Sequence, residues 1–392
     1  GRKPIDVGAT EDCLWVLDHG DRCIRRVDKR SGETTLCFQG GPGLQGYTHG
    51  LLYRDGQLYV HEADFSRLRR VEWKQDGPAV WSWTEPLKMT FVQESWNEHD
   101  RATSTVEFRV PIPPERETQT VGDISWSQRP TRVARDDYGQ AIAQFANIRI
   151  PPKGSHTLKY TLDVQPRAVQ YDPPRLPLST LEDIDPAIRK TYLATNKLYC
   201  LDDRAVRAAA VQARKDAQGK EPSDVRALIE NIADYLVRKM SYEVDDSWKD
   251  AKTVLAGDKG SCSEYSFVFS ALCRLNKVPT RLIGGIQIGD YATPHDVRGF
   301  HRWTEVYFPE IGWIPVDVTK IDGAEGSLDY EFLFGNPGYF VVLSQGDFDA
   351  DALGMTYAIW RNYSGGRRKR DTYVHFEPAK DADAGRVVTL RK

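Results

Sequence analysis

The sequence predicts an α+β protein: an all-β N-terminal half, then a C-terminal half in which helices lead into an antiparallel sheet. Three observations predict it. Short strand patterns repeat between residues 7 and 84, and turn-punctuated alternation continues from 85 to 172. From 185 onward apolar residues recur at helical spacing, and strand alternation returns near 301. At 392 residues the chain is long enough for two to three domains, expected at 1–84, 85–172 and 173–392.

Composition excludes several classes. A net charge of −3 with 28% charged residues argues against nucleic acid as a partner. No run of about 18 apolar residues exists, so no membrane-spanning helix is expected. The chain opens Gly-Arg-Lys-Pro with no apolar stretch, so no signal peptide is read and the compartment, cytoplasmic or exported, stays open. The six cysteines, at 13, 23, 37, 200, 262 and 273, match no zinc spacing. A mostly reduced state is expected, with no metal and no cofactor. Ten tryptophans suffice to line a cleft as well as a core, so they decide nothing.

The first 84 residues contain an internal repeat. Leu14-Trp-Val-Leu-Asp-His-Gly-Asp-Arg-Cys-Ile-Arg-Arg-Val-Asp28 aligns with Leu58-Tyr-Val-His-Glu-Ala-Asp-Phe-Ser-Arg-Leu-Arg-Arg-Val-Glu72 at an offset of 44. Each half reads strand, turn, strand, and that period is a propeller-blade signature. The apolar-Tyr-Val–acid strand followed by Ile/Leu-Arg-Arg-Val resembles the NHL repeat. Two blades cannot close a ring, since propellers need about four or more. Either further blades precede these, or the two units pack as a small sheet against the rest. A protein partner is a possible ligand of this part. His19, His49 and His61 have no metal-ligand spacing and read as strand and loop residues.

Residues 85–172 read as six short strands, at 88–95, 104–110, 118–127, 131–135, 140–147 and 157–165. That spacing predicts a sandwich of immunoglobulin-like size with no catalytic set of its own. Pro-rich residues 171–177 follow as a linker. Asp185-Pro186 opens a helix, and Asp202 or Asp203 caps a second that runs to Gln218 and stops at Gly219. Ser223 caps a third, with Val225, Leu228, Ile229, Ile232, Leu236, Val237 and Met240 on one core-facing stripe.

Chemistry concentrates between Gly257 and Lys320. Cys262 follows Gly-Ser and opens a helical pattern of Phe267, Val268, Ala271, Leu272 and Leu275. Gly257 and Gly260 are expected to let the chain turn sharply into it. A thiol at a helix N-terminus meets unpaired N–H groups and the positive dipole end, which favour the thiolate and can hold an oxyanion. Cys273, in the same helix, reads as core filler. His301 lies in a strand of alternating residues, and Trp313-Ile-Pro-Val-Asp317 reads as the returning strand. With an odd loop, 309–311, Asp317 falls opposite Trp303 on the His301 side; with an even loop the two face apart. In the odd register Asp317 orients His301, which takes the proton from Cys262. His295 is a rival base in a loop.

Beyond Asp317, 332–335 and 339–343 read as loop and strand, and 356–364 with 372–376 as a hairpin across Gly365-Gly366. Arg367 to Arg370 read as solvated surface, His375 has no visible partner, and Asp347 to Asp351 read as an acidic strand-edge turn without a calcium-loop pattern.

Four motifs here resemble the transglutaminase-like superfamily: a Gly-x-Cys helix start at 258–262, Pro-x-Arg-x-x-x-Gly at 279–285, His-x-Trp-x-Glu-Val at 301–306 and Gly-Trp-x-x-x-Asp at 312–317. The resemblance spans residues 235–335. It implies a papain-like core with Cys262 as nucleophile, His301 as base and Asp317 as orienter, and acyl transfer from a peptide or protein amide through a thioester. Trp248, Tyr242 and Trp303 are the candidates for a second oxyanion donor or for substrate contact. Hydrolysis by a peptidase or amidase is favoured over crosslinking, because water is always available as acceptor. A reading of another class is a non-catalytic protein-binding module, which a Cys262 far from His301 would favour.

Overall fold

The computed structural model describes residues 4–18, 23–32, 34–38, 48–62, 67–71, 73–103, 106–177, 184–244, 248–288, 293–321, 332–338, 340–347, 359–363, 366–379 and 387–389. His19 and residues 348–351 lie outside that set.

Each N-terminal repeat folds as a hairpin, Cys13–Asp18 with Cys23–Asp28 and Gln57–Glu62 with Arg67–Val71. The first hairpin is flanked by Pro4–Ala9 and Thr34–Phe38, the second by Thr48–Arg54 and Val387–Thr389. The result is two four-stranded antiparallel sheets. Trp15, Leu17, Ile24, Leu51, Leu58 and Val60 form one apolar cluster between them, and the Trp15 ring stacks on Tyr53 at 5.6 Å. Among the described residues the repeats pack as this pair of sheets and form no ring.

The next region is built on one 17-residue strand, Ser155–Tyr171. Leu87–Asn97, Gln119–Val121 and Ser125–Trp126 pair with its first part, and Ala79–Trp83 and Gly335–Asn336 with its last. A three-stranded sheet of Val106–Pro111, Ala141–Ile148 and Arg132–Arg135 shares its apolar cluster.

The strand pairing departs from the expected self-contained sandwich. Leu87–Asn97 pairs on its other edge with Gly366–Pro378, which carries His295–Val297 and Ile359–Tyr363 in turn. Sheet pairing therefore cuts across the expected boundary at residue 172. The physical reason lies in two directly opposed pairs, Met89 with Phe376 and Phe91 with Val374, all four buried. The expected hairpin across 365–366 is present as Ile359–Tyr363 with Gly366–Pro378.

Among the described residues five α-helices follow the all-β region: α1 Pro186–Tyr192, α2 Arg204–Ala213, α3 Val225–Lys239, α4 Ala251–Gly257 and α5 Cys262–Leu275. Asp185 and Asp203 cap α1 and α2 through their carboxylates. The α3 cap is Asp224, whose carboxylate accepts from Ala227 N–H at 2.8 Å; Ser223, the expected cap, instead bonds to Asp224. Helix α2 ends at Ala213, short of the expected Gln218. Helix α4 was not expected; Asp250 caps it. Helix α5 is buried from Cys262 through Arg274 and packs on a four-stranded sheet ordered Gly312–Val316, Phe300–Phe308, Thr280–Gln287, Phe340–Gly346. Among the described residues no helix is long and apolar enough to cross a membrane.

Candidate active site

The nucleophile candidate is placed by a short, tightly tied connection. Helix α4 ends with Asp258 in the left-handed region, φ 55°. Lys259–Gly260 then pairs in parallel with Ser241–Tyr242, and Ser261 caps α5. Glu264 accepts from Ser261 N–H at 2.9 Å and Ser261 Oγ–H at 2.5 Å, and its other oxygen accepts from Lys249 N–H at 3.2 Å. The sharp turn thus falls on Asp258, not on the expected Gly257. Gly260 matters for closeness: a Cβ there would lie 2.4 Å from Glu264 Cβ. Cys262 follows as the first residue of α5, 7% exposed.

His301 and Asp317 meet through strand register. The turn spans 309–311, and Thr304 pairs with Val316, so Asp317 falls level with Trp303, the odd register. Asp317 Oδ2 lies 2.5 Å from His301 Nε2, and Oδ1 accepts from Thr319 Oγ–H at 2.7 Å. With Nε2 engaged, Nδ1 is the ring atom left to interact with Cys262, which helps to raise the His301 pKa. The imidazole stacks on Phe340 at 5.2 Å and on Trp303 at 6.0 Å. A Cβ on Gly285, the residue paired with His301, would come within 2.7 Å of the Trp303 ring.

The electrostatics favour a charged pair. Burial opposes a protonated His301, but the charge and hydrogen bond of Asp317 and the bond to Cys262 outweigh it and raise its pKa to about 10. Burial likewise opposes a thiolate. The hydrogen bond and charge of His301, then the charge of Arg302 and its backbone N–H, outweigh that and hold the Cys262 thiol below its ordinary value. Cys273 shows the contrast: burial pushes its thiol well up, as befits a core residue.

The three aromatic candidates separate. Tyr242 is 58% exposed, and its hydroxyl is near enough to the backbone N–H of Cys262 to feel it. Trp248 is 36% exposed, with the Arg302 guanidinium 4.9 Å from its ring. Trp303 is 2% exposed and its ring lies against that of His301, so it forms a wall of the imidazole pocket. His295 lies in a strand of the other sheet, its Nδ1 on Thr293 O at 2.8 Å. His375, expected to lack a partner, lies between Asp296 at 2.7 Å and Glu377 at 3.3 Å. Asp347 is no surface turn: it is buried and paired with Arg274 at 2.9 Å.

Two features escaped the sequence reading. Arg302 is fully buried, with Nη1 3.2 Å from Ser263 Oγ. Glu305 is buried between Arg281, at 2.7 Å, and Arg116 from the all-β region. The available signal was charged residues inside an otherwise apolar strand, which are rarely buried unless paired. Among the described residues no cluster of three His, Cys, Asp or Glu is arranged to hold a metal ion.

Residues 211–318 match the transglutaminase-like superfamily. The uncharacterized protein YebA of Bacillus subtilis strain 168 is 33% identical over 70 residues, which are 16% of this chain and only 10% of YebA. A crystal structure of a candidate cysteine protease from Cytophaga hutchinsonii shares the fold, with a TM-score of 0.50 and 16% identity over 80% of this chain and 93% of that one. The periplasmic domain of TgpA from Pseudomonas aeruginosa, bound to ethylmercury, aligns with a TM-score of 0.33 and 16% identity over 64% of this chain and 75% of that one.

Proposed function

Taking the transglutaminase-like domain at residues 211–318 as premise, we propose that this protein is a thiol-dependent enzyme that cleaves amide bonds through a Cys262 thioester. The observation that carries the proposal is the linked set of Cys262 at the start of α5, His301 bonded to it, and Asp317 bonded to His301. The Cys262 Sγ attacks the amide carbonyl carbon and a C–S bond forms. His301 gives its proton to the leaving nitrogen as the C–N bond breaks. Water then attacks the thioester, His301 takes a proton from it, and the acid leaves as the Cys262–His301 pair is restored.

The oxyanion needs two donors. One is the Cys262 backbone N–H at the helix start, and the second is the Tyr242 hydroxyl, which already sits against that N–H. A substrate oxygen entering between them gains both. Trp248 is the other candidate; the Arg302 guanidinium covers its ring face and leaves the in-plane N–H as its donor. The non-catalytic alternative would be favoured by a Cys262 far from His301, and His301 is instead close enough to lower the Cys262 pKa.

The test is intact-mass detection of an acyl adduct on Cys262 during turnover of a panel of fluorogenic peptide amides, with and without a dansylated primary amine. Hydrolysis with an adduct and no amine incorporation is the expected result. Amine incorporation would mean crosslinking chemistry at the same thiol. Neither adduct nor turnover across the panel would overturn the proposal in favour of a binding module.

A further inference from the structure

Arg302 stands beside the nucleophile in a setting that its neighbours have built around it. It is fully buried, and its guanidinium lies 4.9 Å from the Trp248 ring and 5.7 Å from the Phe267 ring. Its Nη1 reaches Ser263 Oγ at 3.2 Å, one residue past Cys262, and its carbonyl accepts from Ser266 Oγ–H at 3.3 Å on the next turn of α5. A guanidinium stays charged wherever it is buried, unlike a lysine or a histidine. The site therefore holds two cations near one thiol: His301, which titrates and donates its proton during reaction, and Arg302, which does neither.

We propose that Arg302 is a positioning residue that keeps a permanent positive charge at the start of α5, so that Cys262 is held as the thiolate in the free enzyme by a charge that takes no part in proton transfer. The inference rests on the proposed function and adds a division of labour to it. In the free enzyme the thiolate faces both cations, and Asp317 offsets the charge of His301 from its other side. After His301 protonates the leaving nitrogen, Cys262 is held as the thioester and Arg302 keeps its charge; when water attacks and His301 takes its proton, both cations favour the departing thiolate. The other groups facing Cys262 do not supply that charge. Tyr242 on the Ser241–Tyr242 strand is neutral, Asp317 behind His301 is acidic, and Glu264 on α5 itself is acidic and engaged with Ser261 and Lys249.

The experiment is the pH profile of Cys262 alkylation by iodoacetamide in wild type, Arg302→Gln and Arg302→Lys, read by peptide mass spectrometry. Arg302→Gln is expected to move the acid limb of the profile up by about one pH unit, the effect of losing one nearby opposite charge. Arg302→Lys, which keeps the charge, is expected to retain most of the acidic profile. Should Arg302→Gln fail to fold, Trp248→Leu carries the test. Trp248 is 36% exposed, and its loss admits water to the guanidinium, so a smaller upward movement is expected. An acid limb left unmoved by Arg302→Gln, or by Trp248→Leu where Arg302→Gln does not fold, overturns the inference while leaving the proposed function standing. An ordinary thiol profile in the wild type overturns both.

Discussion

Asp317 Oδ2 lies 2.5 Å from His301 Nε2, and the contact follows from a turn of three residues between their strands. A turn one residue longer or shorter would send Asp317 to the opposite face of the sheet. Asp317 is fixed in turn by Thr319 on its other oxygen and by its own N–H, which donates to Phe332 O at 3.0 Å. The carboxylate thus has one orientation, and it hands that orientation to the imidazole.

Replacing Asp317 by Asn keeps the shape and removes the charge. Burial alone lowers the His301 pKa, so without that charge the imidazole loses its proton at lower pH. Peptide-amide hydrolysis is expected to fall roughly 10²- to 10⁴-fold. A kcat/KM profile across pH is expected to show its alkaline limb displaced downward, and a profile that keeps its position would contradict the account.

The wild-type kcat/KM profile is expected to be bell-shaped. Activity rises as pH climbs through the lowered Cys262 value and the thiolate forms. It falls as pH passes about 10, where His301 loses the proton it must donate. Steady-state hydrolysis between pH 5 and about 10.5 checks both limbs.

Tyr242→Phe separates oxyanion stabilisation from thiol activation. Losing one oxyanion donor is expected to lower kcat by about 10²- to 10³-fold. The pH profile of Cys262 alkylation is expected to stay nearly in place, because alkylation forms no oxyanion. A variant with unchanged kcat would remove Tyr242 from that role.

Gly285→Ala tests the support behind His301. The new methyl would meet the Trp303 ring at 2.7 Å and Val341 O at 2.9 Å. Overpacking of this kind costs about 1–3 kcal/mol. Urea unfolding is expected to show that loss, and hydrolysis is expected to drop as the stacked imidazole is displaced.

Glu305→Gln tests the tie between the all-β region and the helical half. Burial works against the Glu305 carboxylate, but Arg116 and Arg281 together hold its pKa below the ordinary value. A lowered folded value means stability that is fully present above the ordinary pKa, 4.5, and lost as pH falls through the folded value. Breaking a buried ion pair from one side costs about 3–5 kcal/mol. Urea midpoints at pH 7 and pH 4 should show a large loss for the variant at pH 7 and a smaller one at pH 4.

Local signals made much of this legible. The strand alternation around His301, the helical spacing after Cys262 and the capping aspartates at 185 and 203 are short-range patterns, and the corresponding elements form there. Long-range pairing was not legible. Nothing in residues 366–378 names Leu87–Asn97 as their partner, because alternation tells which face is buried but not against what. The buried charges were hidden for a related reason. Arg302 and Glu305 look like solvent-facing positions until Trp248, Ser263, Arg281 and Arg116 are brought to them from distant parts of the chain. Helix α4 was missed because seven residues give too few periods to read.

The most direct test of the central claim is the rate of Cys262 alkylation by iodoacetamide against pH, in wild type and His301→Ala. The account predicts a wild-type thiol that reacts with an apparent pKa well below about 8.5, the free-thiol value, and a clear upward move in the variant. A thiol of ordinary pKa, unchanged by His301→Ala, would contradict it.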